Sequence, residues 1–107
     1  RHRRVRENYR AAVQEGVARM SARVAGMREH LAVLAPVSLD IIDESHQHAG
    51  HAGARDGGGH YALRIISAQF GGNNMMARHR MIYSALGEMM KREIHALNIQ
   101  AYTPDEV

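Results

Sequence analysis

The 107-residue chain predicts an α+β fold in the order helix, strand, strand, helix, strand: a three-stranded mixed sheet with helices packed on one face. Three observations carry this reading. Two stretches repeat apolar residues every three or four positions, three shorter ones alternate apolar with polar residues, and the order of the five decides how they connect. Adjacent strands joined by a loop pair antiparallel, whereas a strand, helix, strand passage takes a right-handed crossover into a parallel position.

The first stripe comprises Val13, Val17, Met20, Val24, Met27, Leu31 and Leu34. Pro36 stops that helix, because its ring cannot donate a backbone hydrogen bond and crowds the preceding turn. SLDIIDE (38–44) sets Leu39 and Ile41 against Ser38 and Asp40, and HYALRIIS (60–67) sets Tyr61, Leu63 and Ile65 against Ala62 and Arg64, so both read as strands. FGGNN (70–74) breaks the pattern. The second helical stripe follows in Ile82, Tyr83, Leu86, Met89 and Met90. HALNIQAY (95–102) supplies the third strand, and a polar tail starts at Thr103 and Pro104. Met75, Met76, Met81, Met89 and Met90 could line an adaptable surface, but at helical spacing most are expected in the core.

Composition excludes several functions. There is no cysteine, hence no disulfide framework, no cysteine zinc knuckle and no thiol nucleophile, and metal chemistry must use histidine, carboxylate or a partner's ligands. No stretch nears the roughly 18 apolar residues of a membrane span, so no membrane partner is expected. No phosphate loop, trustworthy Ser-His-Asp spacing or carboxylate pair on one stripe points to catalysis. The net charge of +3 is concentrated in RHRRVRENYR, with five arginines and one glutamate. Residues 1–16 therefore form a basic extension ahead of a single domain at 17–107. Such an extension suits a solvated lead-in to a helix, the end of a mitochondrial targeting segment or a nucleic-acid contact.

The connection between the first two strands is long for a hairpin, whose loops usually take about 2 to 5 residues. It carries His46, His48 and His51 in the pattern H-x-H-x-x-H, with His60 opening the next strand. That spacing resembles the first zinc motif of the metallo-β-lactamases. Gly50 stands where that motif has aspartate, and that fold needs roughly twice this length, so the likeness is set aside. A glycine-rich loop also loses much entropy on closing around an ion, which argues against a preformed catalytic zinc site.

DESHQHAGHAG, HYALRIISAQFGG, ARHRMIYSAL and EIHALNIQAYTP, in this order and spacing from about Met20 onward, resemble the BolA family. The resemblance implies an αββαβ fold similar to type II KH domains, with a short helical turn before the second long helix. It implies no enzyme but an adaptor in iron-sulfur cluster assembly and trafficking, whose partner is a monothiol glutaredoxin of the CGFS type. The two proteins share a 2Fe-2S cluster: the glutaredoxin and its bound glutathione supply thiolates and the BolA protein supplies histidine. Mixed ligation of this kind is chemically sound, since imidazole replaces thiolate in Rieske centres.

Carried onto this sequence, the family's C-terminal histidine falls on His95, at the first position of the last predicted strand. Read from the residues alone, His95 is a histidine packed at a strand end. The second ligand falls on His48, or on His51 when counted through the repeated HAG. His79, three residues before Ile82, reads as structural or as a partner-interface residue, and Arg78 and Arg80 beside it could face phosphate, a glutathione carboxylate or a partner's acids. The expected states are a metal-free monomer alone and a heterodimer with the partner, in the mitochondrial matrix of a eukaryote or in the cytoplasm. The alternative is a nucleic-acid-binding transcriptional regulator using Arg78 and Arg80 on the KH-like scaffold. FGGNN lacks the GXXG clamp of KH domains, and one Phe and four Tyr leave little for base stacking.

Overall fold

The computed structural model describes residues 22–45 and 59–107. The basic extension and the loop histidines His46, His48 and His51 lie outside the described residues. The first helix, α1, is helical over its described residues 22–31 and tightens into a 3-10 turn at Ala32–Leu34. Ala35 ends it in the left-handed region at φ 48°, one residue before Pro36, and donates its N–H to the Ala32 carbonyl.

Strands β1 (Ser38–Asp43), β2 (Gly59–Ile66) and β3 (Ile94–Tyr102) form one sheet in the order β1-β2-β3. β1 pairs antiparallel with β2, Leu39 opposite Ile65 and Ile41 opposite Leu63. β2 pairs parallel with β3, Leu63 beside Ile99 and Ile65 beside Ala101. Between them lies the crossover through helix α2 (Met75–Leu86), so the sheet is mixed as the order of elements predicts.

The core forms on one face. Met27 and Leu31 of α1 and Ile82 and Leu86 of α2 meet Tyr61, Leu63 and Ile65 of β2 and Ile94 and Ala101 of β3. Phe70, fully buried, sits in a 3-10 turn at Ala68–Phe70 that matches the short turn expected before α2. Ser67 caps that turn by accepting from the Gln69 N–H and donates its own hydroxyl proton to the Leu34 carbonyl, tying the turn to the end of α1. Asn74 caps α2 in the same manner through the Ala77 N–H.

Three expectations need correction. Tyr83 does not join the α2 stripe but is exposed, because the helix buries Arg78, Ile82 and Leu86 at a spacing of four. Gly87, at φ 55°, stops α2, so Met89 and Met90 belong to a following 3-10 turn, Gly87–Met90, while Met75 and Met76 are exposed. The polar tail is an ordered turn, Pro104–Glu106, closed by a capping box in which the Glu106 carboxylate accepts from the Thr103 N–H.

Candidate functional site

Parallel pairing runs Gly59 beside Ile94 and then His60 beside Ala96, so β3 spends one residue more than β2 at its head. That extra residue is His95. Ile94 and Leu97 both face the helices, three positions apart, and the two residues between them, His95 and Ala96, are both exposed. Uninterrupted alternation back from Leu97 would have sent the imidazole of His95 under α2. The bulge turns it to the helix-free face instead, where its ring stands 5.1 Å from that of His60, centroid to centroid, at an interplanar angle of 52°. His95 is thus the second residue of β3, not the first.

His60 is held firmly by its backbone. Its N–H donates to the Ser45 hydroxyl oxygen at 3.0 Å, and its carbonyl accepts from the Glu44 N–H at 2.7 Å. Ser45 is itself fixed, since its N–H donates to Asp43 Oδ1 at 2.9 Å. The segment DES therefore works as a clip on the head of β2. One residue earlier, the Gly59 N–H donates to the Glu93 carbonyl and ties the same point to the approach of β3. Gly59 has to be glycine for a steric reason: a Cβ there would lie 2.5 Å from the ring of Tyr61.

The Tyr61 ring is buried against the core. Burial raises its pKa above the ordinary 10.0, the Asp43 carboxylate adds to the rise and the Arg23 cation opposes it, so the phenol stays protonated at neutral pH. A hollow follows the outer strand from Ala96 to Ile99, walled by Glu44, His60, Tyr61 and His79. His79, half-buried on α2 with its ring edge-on to Tyr83 at 6.4 Å, has its Nε2 buried with no hydrogen-bond partner among the described residues.

The two arginines of the RHR triplet part company. Arg78 was expected at an interface, but it is buried, with its guanidinium in a bidentate pair with Glu106 at 2.7 and 3.0 Å. Its Nη1 also donates to the Ala101 carbonyl and its Nε to that of Asn73. The pair holds the Glu106 carboxyl at a pKa of about 2 and raises that of the guanidinium further. Arg78 thus has no donor face to offer phosphate or a partner, and Arg80 remains the exposed cation.

Of the residues singled out from the sequence, the structure brings His79 and the head of β3 to one end of the sheet. His60, Ser45 and Gly59 were passed over as site residues. The available signal was the pair of identical histidines at the starts of two neighbouring parallel strands. Imidazole is a borderline ligand suited to zinc, copper, nickel and iron. Two imidazoles fill half of a tetrahedral set, and among the described residues no group of three or more histidine, cysteine, aspartate or glutamate side chains is placed to hold a metal.

The chain is 48% identical over 79 residues to SufE-like protein 1, chloroplastic/mitochondrial, of Arabidopsis thaliana, covering 69% of this chain and 21% of that protein. It is 44% identical over 88 residues to the chloroplastic protein BOLA1 of the same plant, covering 78% of this chain and 55% of the relative. The solved structure of Arabidopsis BolA1 superimposes with a TM-score of 0.67 at 40% identity, over 79% of this chain and 95% of that one. The DNA-binding transcriptional regulator BolA of Escherichia coli K12 is 39% identical over 75 residues, covering 70% of this chain and 69% of the regulator. The chain thus spans about a fifth of the first of these proteins and about half of the second. The BolA-like protein model matches residues 31–106, from the last residue of α1 to the glutamate that holds Arg78, and the chain belongs to the BolA-like family.

Proposed function

We propose that this protein is an adaptor in iron-sulfur cluster assembly and trafficking that docks a monothiol glutaredoxin and lends histidine to a shared 2Fe-2S cluster. The observation that carries the reading is the bulge at the head of β3, which keeps His95 out of the apolar layer and in solvent on a backbone anchored by the sheet. The SufE-like name of one relative supports a role around iron-sulfur clusters. The glutaredoxin and its glutathione bring thiolates, which the cysteine-free chain cannot. His48 or His51 is the second histidine of this reading, and Arg80 and His79 face the partner. The isolated protein holds no stoichiometric iron or zinc, because its own ligand set is incomplete. The names of two relatives, one chloroplastic/mitochondrial and one chloroplastic, support an organelle as its place in a eukaryotic cell, and the mitochondrial matrix is the compartment of this reading.

The test is to mix the protein with cluster-loaded monothiol glutaredoxin and follow visible absorption and circular dichroism. New bands from a bridged cluster are expected with the wild type, and His95→Ala should shorten the cluster's lifetime at least tenfold while the fold is unchanged. A wild-type spectrum and lifetime in His95→Ala would overturn the ligand assignment. The second reading, a nucleic-acid-binding regulator, rests on the name of the Escherichia coli relative and the exposed Arg80. Steep loss of duplex affinity with salt, together with no glutaredoxin binding, would favour it.

A further inference from the structure

We propose that the free edge of β3 takes an extended segment of another protein as a fourth strand, one that alternates apolar with uncharged polar residues. Such a segment lies beyond the adaptor reading and needs no iron. β3 is the outer strand of the sheet, paired to β2 on one side only. In a parallel ladder, successive residues turn their N–H and C=O to opposite sides. The Tyr102 carbonyl accepts from the N–H of Ser67, just past β2, so Tyr102, Gln100 and Asn98 bond inward. Leu97, Ile99 and Ala101 therefore turn theirs outward. Arg78 Nη1 takes the Ala101 carbonyl at 3.1 Å, and the other outward groups of these residues have no partner among the described residues.

Exposed edges are normally blunted by lysine, proline or a covering element, because a row of open donors and acceptors is a template for another strand. On the far edge, Arg28 of α1 covers β1 by donating Nη1 to the Leu39 carbonyl at 3.2 Å. β3 contains neither lysine nor proline. Its bulge and Arg78 close the two ends and leave the stretch from Leu97 to Ile99 open. The hollow beside this stretch is lined by residues of both faces, Ala96 and Asn98 as well as Leu97 and Ile99, as a groove straddling an edge must be. On the helix side Leu97 and Ile99 are only half-buried, and α2 brings His79, whose buried Nε2 lacks a partner among the described residues, together with the exposed Tyr83 against its ring. The apolar row of an added strand covers the flanks of Leu97 and Ile99 and carries a polar group to the imidazole. On the open side the neighbours are Asn98 and Gln100, which an uncharged polar row matches. A second copy of the chain fits less well, since pairing over so short a stretch falls far below the roughly 1,200–2,000 Å² that a stable interface buries.

The probe is a short acetylated and amidated peptide that alternates threonine with valine between terminal lysines. Titrated into the isotope-labelled protein and followed by NMR, it should shift the amide signals of Leu97, Ile99 and Ala101 and slow their exchange with solvent, while those of β1 stay put. The peptide is then N-methylated either at its valines or at its threonines. Only one row bonds to β3, the valines in an antiparallel strand and the threonines in a parallel one. One methylated peptide should therefore bind like the parent, and the other should lose about tenfold or more. Ile99→Pro leaves the bonds to β2 intact, because the N–H it removes points outward, and should weaken the parent peptide about tenfold. His79→Phe keeps a ring and removes the nitrogen, and should weaken it about threefold. Equal binding of the two methylated peptides, or shifts confined to other surfaces, would overturn the proposal on the wild-type protein alone and leave the cluster reading untouched. Protection of the Leu97 and Ile99 amides in the protein without peptide, with a doubled mass on sedimentation, would assign the edge to a second copy and overturn it as well.

Discussion

Arg78 takes a guanidinium into the interior, where Glu106, Ala101 and Asn73 occupy its donors and the Phe70 ring lies 5.9 Å from its central carbon. Such a pair carries a pH dependence of known sign. The Glu106 carboxyl has a pKa of about 2 in the fold against an ordinary 4.5, so its contribution is complete above 4.5 and is lost as the pH falls toward 2. Thermal unfolding followed by circular dichroism should show the wild-type Tm dropping through that window. Glu106→Gln, which has no charge to lose, should melt lower at pH 7 and lose less between 4.5 and 2. The inward turn of Arg78 was legible in principle, since Arg78, Ile82 and Leu86 recur at the four-residue spacing of a single helix face. Its acid was not, because Glu106 lies in a stretch whose polarity resembles a solvated tail. His79 was legible as lying near the stripe, while its unpartnered Nε2 depends on what surrounds it in space.

Gly59 and the bulge opposite it act as one device at the level of elements. The Tyr61 ring covers the Cα of Gly59, and the Glu93 carbonyl takes its N–H, so a side chain there must displace an aromatic ring or open the junction of two strands. Gly59→Ala should cost about 1–3 kcal/mol. Urea unfolding should show this as a lower midpoint at unchanged slope, and the ring signals of His60 and His95 should separate. A midpoint within error of wild type would mean that the ring yields freely. The strands themselves were legible, because alternation in YALRII and ALNIQAY reads the same in any register. The bulge was hidden for that very reason: from Leu97 onward the pattern is regular, and an extra residue ahead of it leaves no mark in the alternation. It follows that His95, the residue on which the proposed function rests most, was placed on the right strand with nothing to say which face it takes.

Among the described residues, both helices and all three strands share a single apolar layer, with the chain's one phenylalanine fully buried in it. Phe70→Ala should cost about 3–5 kcal/mol, a large part of the roughly 5–15 kcal/mol that stabilises a domain. Helix signal and tyrosine fluorescence should be lost together at the lower midpoint, since the described elements share that one core. A split transition would show that the layer is two units. Architecture was legible at this scale because the order of elements leaves few ways to connect them. What lies between β1 and β2 was not, as composition names the ligands a loop could offer without placing them. Arg78 adds a constraint of time. On the ribosome α2 emerges before β3 and the turn bearing Glu106, so its inward-facing cation has no counter-charge while the nascent chain is still short of residue 106. The turn that follows β3 is therefore the one that lets α2 settle on the sheet, since it brings the carboxylate that neutralises Arg78.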